Sequence, residues 1–219
     1  GLIVVADRQT AGRGRNGRAW LSPPAGNLYA SLGLLLDASP AVLPQLSLVA
    51  GLAVHDAVSA LAPGLGDRLR LKWPNDVLLD GAKLAGVLVE SSLRLDAGAL
   101  VVIGVGLNLA WHPTDLGRPA TSLAAAGLAV GGEDAVAALS RALGARLWRW
   151  RGGLGFAGIR QAFLQRAEGV GAAISVDLGP RSVAGVWIGL AEDGGLMVKT
   201  TDGAVAHVSF GDVEFARAR

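Results

Sequence analysis

The sequence predicts an α+β fold: a mixed sheet packed with helices, followed by a small SH3-like β-barrel. Three observations carry this. A long apolar run with three-and-four spacing lies among β-rich segments in the first part of the chain. An Asp80-Gly81 dipeptide stands between two apolar runs, which is a strong hairpin signal. After Gly171 the texture changes to short apolar runs punctuated by Gly179-Pro180, Asp193-Gly194-Gly195 and Asp202-Gly203.

Taken in order, Leu2 to Ala6 is an apolar, β-rich run entered without a cap or turn, and with no initiator Met the expectation is that upstream sequence is missing. Asn27 to Leu36 is a second β-rich run. Pro40 to Leu61 places Leu43, Leu46, Val49, Ala50, Ala53, Val54, Ala57 and Leu61 on one helical stripe, ended by Pro63-Gly64, and this helix should lie on a sheet. Arg68 to Trp73, Val77 to Leu79 and Lys83 to Glu90 read as strands, with Lys83 just past the tight turn. Leu100 to Leu109 reads as a buried strand, and Glu133 to Trp150 and Phe156 to Glu168 as helices. Ile174 to Val176, Val183 to Ile188, Leu196 to Thr200 and Val205 to Phe210 are the short strands of the terminal barrel. A boundary near Gly169 to Gly171 therefore divides a unit of residues 1–170 from one of residues 171–219.

Composition narrows the chemistry. With 219 residues, 51% hydrophobic and 17% charged, the chain can bury a substantial core plus a small one, which excludes disorder. The apolar stretches are interrupted too often to reach the roughly 20 residues of a membrane span, and no signal-peptide pattern opens the chain, so a cytoplasmic protein is expected. The absence of Cys excludes disulfides, thiolate nucleophiles and Cys-ligated zinc, and three scattered His do not make a metal site. Net charge is only +2, but Arg8, Arg13, Arg15 and Arg18 crowd together.

The strongest motif is Gly12-Arg13-Gly14-Arg15-Asn16-Gly17-Arg18-Ala19-Trp20, preceded by Gln9. Three Arg so close repel one another and need an anionic partner. Glycine lets backbone N–H groups approach a ligand, and guanidinium forks make bidentate bonds to phosphate or carboxylate. The alternative is a solvated basic loop of the kind that binds RNA. A second cluster, Lys72-Trp73-Pro74-Asn75-Asp76 with Lys83-Leu84-Ala85-Gly86, holds two of the three Lys in the chain. Lys83 can stabilise negative charge developing in a transition state, and Gly86 allows the strand backbone to come close to that charge. The plain alternative is a turn capped by Asp76 beside solvated lysines. Gly104-Val105-Gly106-Leu107-Asn108 ends a strand in an amide that can bond a purine edge or merely close the strand, and taken alone it favours the structural role.

With these motifs in this order, the chain resembles the catalytic core and C-terminal domain of the biotin protein ligases over nearly its full length. Gln9 with Gly12 to Trp20 resembles the family's biotin and adenylate loop, Lys72 to Asp76 its Lys-Trp-Pro-Asn-Asp signature, Lys83 to Gly86 its Lys-x-x-Gly, and Gly104 to Asn108 its Gly-x-Gly-x-Asn. Ala120 to Leu123 and Gly211-Asp212-Val213 are similar as well. The family's upstream Ser-Thr-Asn segment lies outside this chain, as does the DNA-binding helix-turn-helix that some members carry.

The resemblance implies a ligase core like that of class II aminoacyl-tRNA synthetases and two half-reactions. Biotin and MgATP give biotinyl-5′-AMP and pyrophosphate, and a lysine of the biotin carboxyl carrier domain of acetyl-CoA carboxylase then takes the biotinyl group. It implies catalytic roles for Lys83, Arg15 and Asp76, and biotin contacts from Gln9, Gly12, Arg13, Gly14, Arg15, Lys83 and Gly86. It implies adenylate contacts from Arg13, Arg15, Arg18, Trp20, Lys72, Asn75, Asp76, Lys83, Asn108 and Trp111, with the adenine between the two tryptophans, and Asp76 either as a weak ligand for Mg²⁺ or as the group that orients the incoming amine. A homodimer is a possible assembly; neither a membrane nor a nucleic-acid partner is implied. The rivals are a lipoate or octanoate ligase on the same fold and a noncatalytic basic module that binds nucleic acid.

Overall fold

Pro44 divides the stretch that the sequence predicts as one helix. In the computed structural model, which describes residues 1–23, 26–94, 98–115 and 117–215, Pro40–Gln45 is a 3-10 helix capped by the Ser39 hydroxyl, and the α-helix α1 runs only from Leu46 to Leu61. Proline supplies no N–H and its ring opposes the carbonyl four residues back, so the regular ladder starts after it. The whole stretch Pro40–Leu61 is nevertheless long and apolar enough to cross a membrane, contrary to the sequence expectation, but 72% of its apolar window is buried inside the fold. Leu46, Val49, Ala50, Leu52, Ala53, Val54 and Val58 are all fully buried, as befits a helix covered on every side.

One covering layer is a six-stranded sheet: β1 (Leu2–Ala6), β2 (Leu28–Leu36), β3 (Leu69–Lys72), β4 (Asp76–Leu79), β5 (Ala82–Arg94) and β6 (Gly98–Leu107), in the order β1-β2-β6-β5-β4-β3. The other is a pair of helices, α2 (Gly132–Trp150) and α3 (Phe156–Arg166), both packed on α1. The predicted mixed sheet is antiparallel in every ladder between these strands. β3, β4 and β5 follow one another through short turns, and a short turn can only reverse the chain. Asp80 and Gly81 have φ of 52° and 76°, as the two central residues of a tight type I′ hairpin turn require. Parallel pairing among the described residues is confined to isolated bridges, Leu71 with Ala167 and Lys83 with Ala120.

The later strands β7 (Ala173–Asp177), β8 (Ser182–Leu190), β9 (Leu196–Thr200), β10 (Val205–Val208) and β11 (Asp212–Phe215) form a second antiparallel sheet in the order β10-β9-β8-β7-β11. Val176, Trp187, Leu196, Val198 and Val213 bury its inner face. The sequence predicts a barrel; among the described residues the edge strands β10 and β11 do not pair, so the sheet stays open. Its β8–β9 turn sits on the helical core. The Trp73 indole donates to the Gly194 carbonyl at 3.0 Å, and the Gln45 amide donates to that of Glu192 at 3.1 Å. Gln45 in turn accepts from the Trp150 indole at 2.7 Å.

Two polar groups enter the helical layer. Arg146 of α2 makes a bidentate pair with Asp56 of α1 at 2.6 and 2.9 Å. Beside it His55 is buried, with Nε2 3.3 Å from the Leu69 carbonyl and Nδ1 3.4 Å from the Ser59 hydroxyl. Those partners suit neutral imidazole, with Nε2–H donating and Nδ1 accepting. Burial lowers the His55 pKa, and Arg166 and Arg146 act in the same direction, against the Asp56 charge and the Leu69 carbonyl. The unfolded chain thus binds this proton first, from about pH 6.5 downward. Thermal melts should show stability falling as pH drops below about 6.5, and His55→Gln should flatten that part of the slope.

Candidate active site

Along β5 and β6, successive side chains face opposite sides of the sheet. Ala85, Val101 and Ile103 are fully buried in the core, whereas the intervening Gly86, Val102 and Gly104 line a cavity of about 260 Å³ on the other face. Trp20 reaches into this cavity because two strand positions lack side chains. A β-carbon at Gly106 would lie 2.4 Å from the Trp20 ring, and one at Gly86 3.0 Å from both that ring and Lys83 Nζ. The indole Nε1 of Trp20 is buried without a hydrogen-bond partner.

Lys83 stands at the start of β5, one residue past the tight turn's strand entry, and its Nζ donates to Asp76 Oδ1 at 2.5 Å. Both side chains are nearly buried, at 12% and 13% exposure. The register of the β4–β5 hairpin sets Lys83 opposite Leu78, with Asp76 opposite Gly86. The ammonium also lies over the Trp20 ring, 5.4 Å from its centroid. Burial pushes the Lys83 pKa down, Asp76 pulls it up, and the charges of Arg118 and Lys72 add to the lowering.

The three loop arginines all have carboxylate partners. Arg13 donates to Glu90 at 3.5 Å; Arg15 donates to the Asn75 side chain at 3.3 Å, to Asp212 at 3.4 Å and to the Gly211 carbonyl at 2.9 Å; Arg18 pairs with Asp212. Between them the loop closes on itself through Gly14 N–H to the Arg18 carbonyl at 2.7 Å and Trp20 N–H to the Gly12 carbonyl at 2.9 Å. The anionic partners demanded by the sequence are thus supplied partly by the second sheet. The loop is exposed in part, with Arg13 and Arg18 half or more open to solvent, but each of its arginines is paired.

Most of the predicted residues converge. Gln9, Arg13, Gly14, Arg15, Arg18, Trp20, Asn75, Asp76, Lys83 and Gly86 all line the cavity. Gly12 sits at the loop root instead, and Lys72 lies off the cavity with its Nζ 5.5 Å from the Phe215 ring centroid. Asn108 is 4% exposed and spends its amide internally, donating to the Thr121 carbonyl at 2.9 Å with Asn27 3.5 Å from its oxygen. This is the strand-closing role. Trp111 is also outside the lining; its N–H and carbonyl are both held by the Asn27 side chain. The two tryptophans therefore do not flank one pocket.

The cavity adds residues that the motifs did not single out: Ser31, Glu90, Val102, Arg118 and Asp212. Gly211-Asp212-Val213 was visible as a pattern, but a carboxylate 194 residues from Arg18 cannot be assigned as its partner from spacing. Arg118 was hidden in a Pro- and Gly-containing loop. Among the described residues, no group of three or more His, Cys, Asp or Glu forms a metal-holding cluster.

Five cations gathered around one open-mouthed pocket, against three carboxylates, make a site suited to bringing anions together. Such a site suits a transferase or ligase that handles anionic substrates. Residues 1–108 match the biotin/lipoate A/B protein ligase family. The chain is 39% identical to a biotin–acetyl-CoA-carboxylase ligase of Paracoccus denitrificans, over 95% of this chain and 90% of that protein. It is 36% identical to the ligase of the same name from Mycobacterium tuberculosis, over 99% and 80%. The Aquifex aeolicus biotin protein ligase, solved with biotin and ATP, superposes with a TM-score of 0.81 at 29% identity, covering 99% of this chain and 89% of that one. The chain belongs to the biotin protein ligase family.

The Arg15 and Arg18 pairs with Asp212 are partly exposed, so each contributes only about 0–1 kcal/mol and their loss leaves the global fold standing. Asp212→Ala should accordingly change the melting temperature little but raise the rate of trypsin cleavage after Arg15 and Arg18 several-fold. An unchanged cleavage rate would show that the loop is held by other means.

Proposed function

We propose that this chain forms biotinyl-5′-AMP from biotin and MgATP and then transfers the biotinyl group to a lysine of the biotin carboxyl carrier domain of acetyl-CoA carboxylase. The observation that carries this reading is Lys83, nearly buried, bonded to Asp76 and seated beside an Arg loop over a partly apolar cavity. In the first half-reaction a carboxylate oxygen of biotin attacks the α-phosphorus and pyrophosphate leaves. Two anions must approach, so neutralising their charge is the main demand on the protein. Lys83 contacts the carboxylate and the phosphate oxygen that becomes bridging, and Arg15 and Arg18 exchange Asp212 for phosphate oxygens. Gln9 and Val102 line the part of the cavity offered to biotin, and Trp20, in the same cavity, is offered to the adenylate. In the second half-reaction the amine of the carrier lysine attacks the carbonyl carbon, AMP leaves, and the amine gives up its proton.

Magnesium enters this scheme as part of MgATP, held chiefly by phosphate oxygens and water. One oxygen of Asp76 is already engaged by Lys83, so its carboxylate fits as a minor partner of the ion and mainly fixes the ammonium. The same reading divides the chain into a ligase unit of residues 1–170 and a C-terminal unit of residues 171–219 with SH3-like character, supported by two sheets that share no strand. It places the enzyme in the cytoplasm. It assembles two copies through β1, an edge strand of the sheet among the described residues, where Leu2, Val4 and Val5 are exposed.

Biotin-dependent exchange of labelled pyrophosphate into ATP, measured on the full-length protein, tests the reading; exchange supported by lipoate or octanoate and not by biotin would overturn it. Lys83→Ala should retain the fold by circular dichroism and lower that exchange by about 10²-fold or more, the usual consequence of removing one preorganised charge from a closed site.

A further inference from the structure

We propose that Arg118 receives the β- and γ-phosphates of ATP, and so serves adenylate formation without serving transfer to the carrier; this rests on the ligase reading above. Four of the five cations lining the cavity already have a carboxylate: Arg13 has Glu90, Arg15 and Arg18 share Asp212, and Lys83 has Asp76. Arg118 is the fifth, and no carboxylate among the described residues lies within 4.0 Å of it. An unpaired guanidinium next to a nearly buried ammonium is repelled by it, and the arrival of a strongly anionic group relieves that repulsion.

Arg118 is held in place at both ends of its loop. On one side the Asn27 side-chain oxygen accepts from the successive N–H groups of Leu109, Ala110 and Trp111 at 3.0, 3.1 and 3.1 Å. On the other, Lys83 N–H donates to the Pro119 carbonyl at 3.0 Å, and Thr121 N–H donates to the Lys83 carbonyl at 2.9 Å. The segment that follows Arg118 is therefore laid directly along the backbone of Lys83. Its charge is felt at the Lys83 ammonium.

Exposure then separates the roles of these two cations. Lys83 is nearly buried, whereas Arg118 is exposed and stands at the rim. The buried end suits the atoms that become the adenylate, and the rim suits the part of ATP that must leave to solvent. Pyrophosphate carries most of the negative charge of the nucleotide. Once it has gone, the adenylate retains a single phosphate charge, and Arg118 has no further anion to hold.

Arg118→Ala and Arg118→Lys decide the matter when the two half-reactions are measured separately. In pyrophosphate exchange, Arg118→Ala should raise the KM for ATP by about ten- to a hundredfold, as expected for a lost charge-assisted contact, and Arg118→Lys should recover part of it. Transfer from chemically prepared biotinyl-5′-AMP to the carrier domain should stay within about twofold of the unsubstituted enzyme for both variants. An unchanged KM for ATP, or an equal loss in both half-reactions, would overturn the proposal. Absence of biotin-dependent exchange in the unsubstituted protein would instead overturn the ligase reading itself.

Discussion

Charge compensation around one cavity is the constraint on which the rest of this structure depends. Lys83, Arg13, Arg15, Arg18 and Arg118 share a space of about 260 Å³, and that density of positive charge is costly unless carboxylates are brought to it. The protein delivers them from three separate elements: Asp76 from β4, Glu90 from β5 and Asp212 from β11. These are the groups that incoming anions can replace. The site in its free form thus holds its cations in position against internal stand-ins for phosphate and carboxylate, which reduces the reorganisation needed when ligand binds.

That arrangement explains why the second sheet is fastened to the helical core where it is. Trp73 belongs to the same short segment as Asn75 and Asp76, and its indole holds the β8–β9 turn through the Gly194 carbonyl. Gln45, buried at the start of α1, holds the neighbouring Glu192 carbonyl. Two hydrogen bonds from buried core residues therefore fix the sheet whose far edge strand carries Asp212 toward the Arg loop. Lys-Trp-Pro-Asn-Asp is in this respect two devices in one segment, since Trp73 docks the second sheet while Asn75 and Asp76 face the cavity.

Local rules made much of this legible in the sequence. The Asp80-Gly81 turn and the order of strands and helices follow from periodicity and turn chemistry, and the convergence of the Arg loop with Lys83 from the family resemblance of the motifs. The failures have physical causes. Pro44 splits a helix whose apolar stripe runs straight through it, because periodicity reports on burial and is blind to a missing N–H. Asn108 carries the right functional group for a ligand but spends it on Thr121 and Asn27, and such internal competition leaves no mark in spacing. Asn27 was invisible for the opposite reason: an ordinary residue before a strand becomes the clamp for three consecutive N–H groups. Asp212 and Arg118 depend on contacts between segments far apart in the chain, which motif reading does not supply.

The pairing of Arg15 and Arg18 with Asp212 also bears on how the protein comes into being. Arg18 leaves the ribosome 194 residues ahead of the carboxylate that compensates it. Throughout synthesis the strands that line the pocket can pair and the hairpin bearing Lys83 can fold, yet the guanidinium cluster has to wait for β11. A partly made chain therefore has the pocket without its balance of charge. The pocket and its compensating charge are thus completed at different stages of synthesis, separated by most of the sequence between Arg18 and Asp212.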